Sequence, residues 1–126
     1  MTLFRCAHSD AEDWSGIAKN LADGLGGEDS AGDEDRLGFI YVTDAIAEDF
    51  GSILTYLRKN TGVDEWVGSV GIGICASGTE YFHRPAAAAM VADLPKDSFF
   101  VFPAITEFAV DIRDAGGAWV DRVSPP

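Results

Sequence analysis

The sequence predicts a single α/β domain over residues 1–126, built on a mixed sheet of about five strands. The length is typical of one domain, and the hydrophobic fraction of 47% is enough for a buried core. Strand-like apolar runs alternate with stripes of helical spacing, an order that is typical of α/β sheets. We expect the first three strands to be parallel and joined by right-handed βαβαβ crossovers.

The first two predicted elements are a short strand and an amphipathic helix. The segment LFRCAHS, residues 3–9, has the composition of a strand. Apolar side chains then recur at helical spacing in Trp14, Ile17, Ala18, Leu21, Ala22 and Leu25. Ser9 or Asp10 is expected to cap this helix, and Gly26–Gly27 is expected to end it.

A second helix is predicted between the second and third strands. After an acidic loop, RLGFIYVT at residues 36–43 is a continuous apolar run, typical of a strand covered on both faces. Asp44 ends this strand, and the second helical stripe consists of Phe50, Ile53, Leu54 and Leu57. Gly62 closes the helix, and EWVGSVGIGIC at residues 65–75 is the third predicted strand.

The last third of the chain predicts two further strands and a helix. AAAAMVADLP at residues 86–95 suits either state, and flanking glycine and prolines favour a strand. SFFVFPAI at residues 98–105 is the fifth predicted strand. Apolar residues keep helical spacing over 108–123, with a break at Gly116–Gly117, where two glycines cost roughly 2 kcal/mol relative to alanines. The short connections predict at least one antiparallel pair.

The charge excludes several classes of partner. The net charge of −12 comes from 21 acidic and 9 basic residues. Such a surface repels phosphate groups, so we expect no nucleic-acid partner and no bound nucleotide. No apolar run approaches the roughly 20 residues that span a bilayer, so no membrane insertion is expected. The segment MTLFRCAHSD does not resemble a secretory signal, and a cytoplasmic location is therefore expected.

Glycine recurs in the third predicted strand and just past it, within WVGSVGIGICASGTEYF at residues 66–82, and glycine inside a strand indicates a close approach by another group. Gly71-x-Gly73-x-x-Ala76 meets the dinucleotide pattern in its alanine form. No helix is predicted directly after it, which argues against a dinucleotide site. We prefer the interpretation that the two helices approach Gly71 and Gly73 closely, and a small ligand near the strand end is the alternative.

The turn after this strand is the predicted ligand site. It contains Ser77, Gly78, Thr79 and Glu80, at the sheet edge where ligands bind in open α/β folds. Free backbone N–H groups and hydroxyls there suit a small polar molecule that bears a carboxylate or an amine. Glu80 or Asp44, expected within reach, would contact the amine. Asp44 equally suits a helix cap.

Cys6, His8 and Cys75 form a weaker candidate site. These side chains would meet if the first and third strands were neighbours, and they could then bind zinc or form a thiol nucleophile with its base. The chain lacks a Cys-x-x-Cys pair, and free cysteine is ordinarily a small buried hydrophobe. We therefore expect core cysteines, no metal, no cofactor and no enzymatic activity.

Two segments carry a resemblance to a known family, namely YVTDAIAEDFGSILTYLRKNTG at residues 41–62 and WVGSVGIGICASGTEYF at residues 66–82. Over residues 3–104 the chain resembles the N-terminal region of FIST domains, found in F-box and intracellular signal transduction proteins. In that family a helix ending in Thr-Gly precedes a VGS or VGC segment with similar glycines and a Glu-Tyr pair. The likeness is one of hydrophobic and glycine positions.

The resemblance implies a non-enzymatic sensory domain for a small ligand, such as an amino acid, in signal transduction. The family region runs on past a proline pair like Pro125–Pro126, and a C-terminal FIST region follows. A fragment, a truncated product and a stand-alone half are therefore open interpretations. Expected partners are the small ligand and either a second copy or the missing C-terminal region. The alternatives are an interaction module that assembles through a sheet edge, or a small thiol-dependent enzyme.

Overall fold

The computed structural model describes residues 4–26 and 35–103, together with Arg113 and Gly117 in helical conformation. The chain forms two compact units, Met1–Lys96 and Asp97–Pro126. The helices and strands of the first unit, in chain order, are β1 (Phe4–Ser9), α1 (Trp14–Leu25), β2 (Asp35–Thr43), a 3₁₀-helix (Asp44–Asp49), α2 (Phe50–Thr61), β3 (Glu65–Gly71), β4 (Gly73–Ala76), β5 (Thr79–Phe82) and β6 (Ala87–Leu94).

The main sheet has four strands in the order β1-β6-β2-β3, and β4 pairs with β5 in a separate hairpin. Strand β6 is antiparallel to both β1 and β2, whereas β2 and β3 are parallel. The prediction of a mixed α/β fold is confirmed. The predicted detail, about five strands with the first three in a parallel βαβαβ arrangement, is wrong: the main sheet has four strands, and β6 lies between β1 and β2, so that β2 and β3 form its only parallel pair among the described residues. The first three residues of β6 are alanines, and the small side chains of Ala87 and Ala89 are buried in the core.

Both helices pack on one face of this sheet. A single hydrophobic cluster joins Ile17 and Leu21 of α1 and Ile53 and Leu57 of α2 to the strand residues Ile40, Val42, Ala87, Ala89 and Val91. These residues confirm both predicted helical stripes, and Gly62 ends α2 at a φ of 71° as expected. The predicted cap of α1 is wrong: the Asp13 carboxylate accepts from the backbone N–H of Gly16 at 2.8 Å. Ser9 Oγ instead accepts from Asn20 Nδ2 at 2.9 Å.

The glycines of the third predicted strand lie at a corner. The chain leaves the sheet at Ile72, and the predicted strand over 65–75 is split into β3 and β4. A Cβ at Gly71 would lie 3.0 Å from the carbonyl oxygen of Gly73, and one at Gly73 would overlap the ring of Phe82. The interpretation that helices approach these two glycines is therefore wrong. Without a side chain, Gly71 permits the chain to bend, and Gly73 leaves room for the ring of Phe82 on the paired strand.

The remaining predictions concern the last third of the chain. The predicted strand at 86–95 is confirmed as β6. Residues 98–103 have no strand conformation, so the predicted fifth strand is wrong over that range. Residues 104–105 and, apart from Arg113 and Gly117, the predicted helix at 108–123 lie outside the described residues. Within the described part of the chain, no helix is long and apolar enough to cross a membrane.

Candidate functional site

The sheet face opposite the two helices, here called the outer face, carries a different set of side chains. Side chains alternate between the faces along a strand, and the register aligns those of β1, β6 and β2 in rows. The first row consists of Cys6, Met90 and Phe39, and the second consists of His8, Ala88 and Tyr41. The prediction that β2 is covered on both faces is wrong, since Tyr41 is 47% exposed.

A groove of about 410 Å³ lies on the outer face, beside the β4–β5 hairpin. Its described lining is Cys6, Ala7, His8, Phe39, Tyr41, Cys75, Ala76, Ser77, Ala88, Ala89 and Met90. Strands β1, β2 and β6 provide a largely apolar floor, and the end of β4 with the following turn provides one wall. The polar groups of the lining are an imidazole, two hydroxyls and two thiols.

Tyr81 links the hairpin to the sheet beside this groove. Its ring is buried with Ile74 and Ala86, and its hydroxyl is hydrogen-bonded to His8 Nδ1 at 2.5 Å. The Arg84 guanidinium lies 5.0 Å from the centre of the Tyr81 ring, a favourable cation–π geometry. Arg84 also pairs with Asp10 at 3.3 Å. Strand β5 therefore holds the hairpin against β1 through one aromatic residue.

Thr43 fixes the segment that connects the hairpin to β6. Its side chain is fully buried, and its Oγ1 accepts from the Ala86 N–H at 3.0 Å and donates to the Arg84 carbonyl at 2.7 Å. The Thr43 N–H in turn donates to the Ala86 carbonyl at 3.0 Å. The end of β2 is thus hydrogen-bonded to Ala86, which directly precedes β6, and to Arg84, whose side chain contacts Tyr81.

The predicted ligand-site residues lie on two different elements. Ser77 and Gly78 form the hairpin turn, with Gly78 at a φ of 76°, and Thr79 and Glu80 begin β5. Asp44 is the exposed first residue of the 3₁₀-helix. Of these five residues, only Ser77 belongs to the described lining of the groove. The capping role considered for Asp44 is wrong, because the N-cap is Thr43 and forms no side-chain cap hydrogen bond.

The structure brings Cys6, His8 and Cys75 to the same groove, although β1 and β3 are not neighbours. The prediction of buried core cysteines is wrong, since both are exposed free thiols. No cluster of three metal-binding side chains occurs in the part of the chain that the structure describes. Sequence reasoning missed Phe39 and Met90, whose positions depend on the register of β6.

Comparison with known proteins gave no match to this chain, either among protein-family models or among curated proteins. The resemblance to FIST domains therefore stays a prediction from the quoted segments.

Proposed function

We propose that this chain is a non-enzymatic sensory domain of the FIST type, which binds a small amino-acid-like metabolite in the groove of the outer face. The observation that supports this most is the groove itself. Its volume of about 410 Å³ lies within the range of roughly 300–1,000 Å³ that is typical of small-molecule sites. Such sites combine an apolar lining with a few polar groups, as this one does.

The lining suits a ligand with an apolar body and one polar end. Phe39 and Met90 lie side by side on neighbouring strands, and the unbranched Met90 side chain can adapt to ligands of different shape. His8 and Ser77 belong to the same lining and provide hydrogen-bonding groups. An amino acid with an apolar side chain, or a related carboxylate, has both features.

The hydrogen bonding of His8 favours binding over thiol catalysis. A catalytic thiol needs a base within hydrogen-bond reach. In the described part of the chain, the hydrogen bond of His8 is to the Tyr81 hydroxyl, and neither Cys6 nor Cys75 has one with His8. We therefore place His8 in ligand binding and assign no catalytic residue.

A thermal-shift and calorimetric titration with L-leucine and L-phenylalanine tests the proposed function. A ligand that binds only the folded state at 100 times its Kd adds about 2.7 kcal/mol to the free energy of unfolding. Cys6→Phe fills the groove from edge strand β1 and is expected to abolish the stabilisation. Ser52→Phe is the control, since Ser52 is exposed on α2, on the other side of the sheet, and is not part of the described groove lining.

The control variant should bind as the unmodified chain does. Equal binding by the Cys6→Phe variant would contradict binding in this groove, and stabilisation by neither amino acid would contradict an amino-acid ligand.

Assembly through a sheet edge is the second candidate, because apolar side chains are exposed where β3 ends. Val70 is 43%, Ile72 73% and Phe82 52% exposed. Exposed large apolar side chains that form a patch favour association with another chain. An assembly module is expected to sediment as a dimer at high concentration, and Ile72→Ser should shift it to monomer. A chain that sediments as monomer at every concentration would exclude this candidate.

A further inference from the structure

We propose that the groove selects a carboxylate, which Nε2 of His8 binds while the apolar body of the ligand lies along Phe39 and Met90. The inference deepens the proposed function and rests on it. It names the chemical group that sets selectivity and the side chain that recognises it.

The hydrogen bond with Tyr81 determines what His8 offers to a ligand. Tyr81 is 5% exposed, and within the described residues its hydroxyl has His8 Nδ1 as its hydrogen-bond partner. A buried hydroxyl that donates to nothing is costly, so the hydroxyl donates to Nδ1 of the neutral imidazole. The ring proton then lies on Nε2. In the cationic ring both nitrogens carry protons, so Nε2 is a donor in either state.

Tyr81 is in turn held in place, which makes it a positioning residue for His8. Arg84 lies against its ring at 5.0 Å, and Asp10 holds Arg84 at 3.3 Å. Strand β5 pairs Tyr81 with Ile74 of β4. The imidazole of His8 therefore has a fixed orientation before a ligand arrives, which lowers the entropic cost of binding.

The polar groups of the lining match an acceptor better than a donor. Ser77 and Tyr41 add hydroxyl donors to the His8 N–H, and the described lining contains no carboxylate. This is notable in a chain with 21 acidic residues. Glu80 and Asp44, the predicted partners of a ligand amine, are not among the described lining residues. A carboxylate finds donors here, whereas an ammonium group finds no matching carboxylate in that lining.

Two probes of the same shape test this selectivity. The Kd of 3-phenylpropionate and of 3-phenylpropionamide is measured by calorimetry with the full chain. Hydrogen bonds to a charged acceptor are roughly twice as strong as neutral ones, so we expect the acid to bind about tenfold more tightly than the amide. His8→Phe should lower this ratio severalfold, and Tyr81→Phe, which keeps the imidazole but removes the hydrogen bond that orients it, should lower it by less, while the amide still binds.

Two further variants separate recognition from structural damage. His8→Gln keeps an N–H donor and should recover part of the preference for the acid. His83→Asn is the control, since asparagine tolerates the positive φ of 58° at this position and His83 is exposed and does not belong to the described groove lining; its ratio should equal that of the unmodified chain. The far-ultraviolet circular dichroism of each variant checks that the fold is intact.

The failures of the two proposals are distinguishable. Equal affinities of the unmodified chain for acid and amide, or an unchanged ratio in folded His8→Phe, would contradict carboxylate selection and leave the groove as a binding site. Failure of L-leucine, L-phenylalanine and both probes to bind would contradict the proposed function and, with it, this inference.

Discussion

Gly38 leaves the space that the indole of Trp66 occupies on the helix-covered face of the sheet. The two residues are register partners on β2 and β3, and a Cβ at Gly38 would overlap the Trp66 ring. That ring is 7% exposed, and its Nε1 donates to the Val63 carbonyl at 2.7 Å. Because the indole is both buried and hydrogen-bonded, it has little freedom to move aside.

Gly38→Ala is therefore expected to lower the free energy of unfolding by about 1–3 kcal/mol, the usual cost of overpacking. Gly51→Ala is the matched control, because Gly51 lies in α2 and a Cβ there meets no atom within 4 Å. The control should be neutral or more stable by up to about 1 kcal/mol. Urea denaturation measures both variants, and equal stability of Gly38→Ala and the unmodified chain would show that the ring can move.

The buried side chain of Thr43 is fixed by its hydrogen bonds to Arg84 and Ala86. Replacing it with valine keeps the shape but leaves the buried Ala86 N–H without its side-chain acceptor. An unsatisfied buried donor costs about 1–3 kcal/mol, so Thr43→Val should lose about that much stability. Thr55→Val, at an exposed helical threonine that bonds the Gly51 carbonyl, should stay within about 0.5 kcal/mol. Similar losses in both variants by chemical denaturation would exclude this role of Thr43.

At the scale of elements, periodicity predicted the helices and most strands but could not predict how the strands pair. The stripes of α1 and α2 depend on local spacing, and the structure bears them out. The position of β6 between β1 and β2 depends on contacts between residues distant in sequence, which no local pattern carries. Strand β5 has four residues, the shortest run over which alternation indicates a strand. The groove was missed for the same reason, since its floor combines three strands.

The β4–β5 hairpin turn provides a prediction at this scale. Gly78 has a φ of 76° and no atom within 4 Å of a Cβ placed there, so Gly78→Ala costs only conformational energy, about 1–2 kcal/mol. Because Cys75 and Ser77 line the groove, loosening the hairpin should also weaken ligand binding. Hydrogen exchange should quicken at the Ile74 and Tyr81 amides and stay unchanged at Ile40. An equal increase in the exchange rate of the Ile40 amide in the main sheet would contradict an effect confined to the hairpin.

At the scale of the whole molecule, the net charge of −12 acts against the compact state through self-repulsion. The Lys19–Asp23 pair is exposed, and its hydrogen bond and charge attraction raise the pKa of Lys19. Exposed pairs of this kind contribute little to stability. The Lys19–Asp23 pair therefore offsets only a small part of the repulsion between acidic side chains.

Added salt should stabilise this protein, because it screens repulsion between exposed carboxylates. We expect the Tm to rise by a few degrees, roughly 2–5 °C, between low salt and about 0.5 M NaCl. The double variant Asp64→Asn/Glu65→Gln, with two fewer negative charges at exposed positions, should show a smaller rise. A Tm that falls with salt in differential scanning calorimetry would show that attractive pairs dominate instead.

The central claim is that the outer face of the sheet binds a small carboxylate, and an amide NMR titration with 3-phenylpropionate tests it most directly. The account predicts saturable shifts at the groove residues Cys6, His8, Ser77 and Met90, with no saturable shifts at Ser52 and Thr55 on α2. Shifts confined to the α2 residues, or no saturable shift in the groove, would contradict the account.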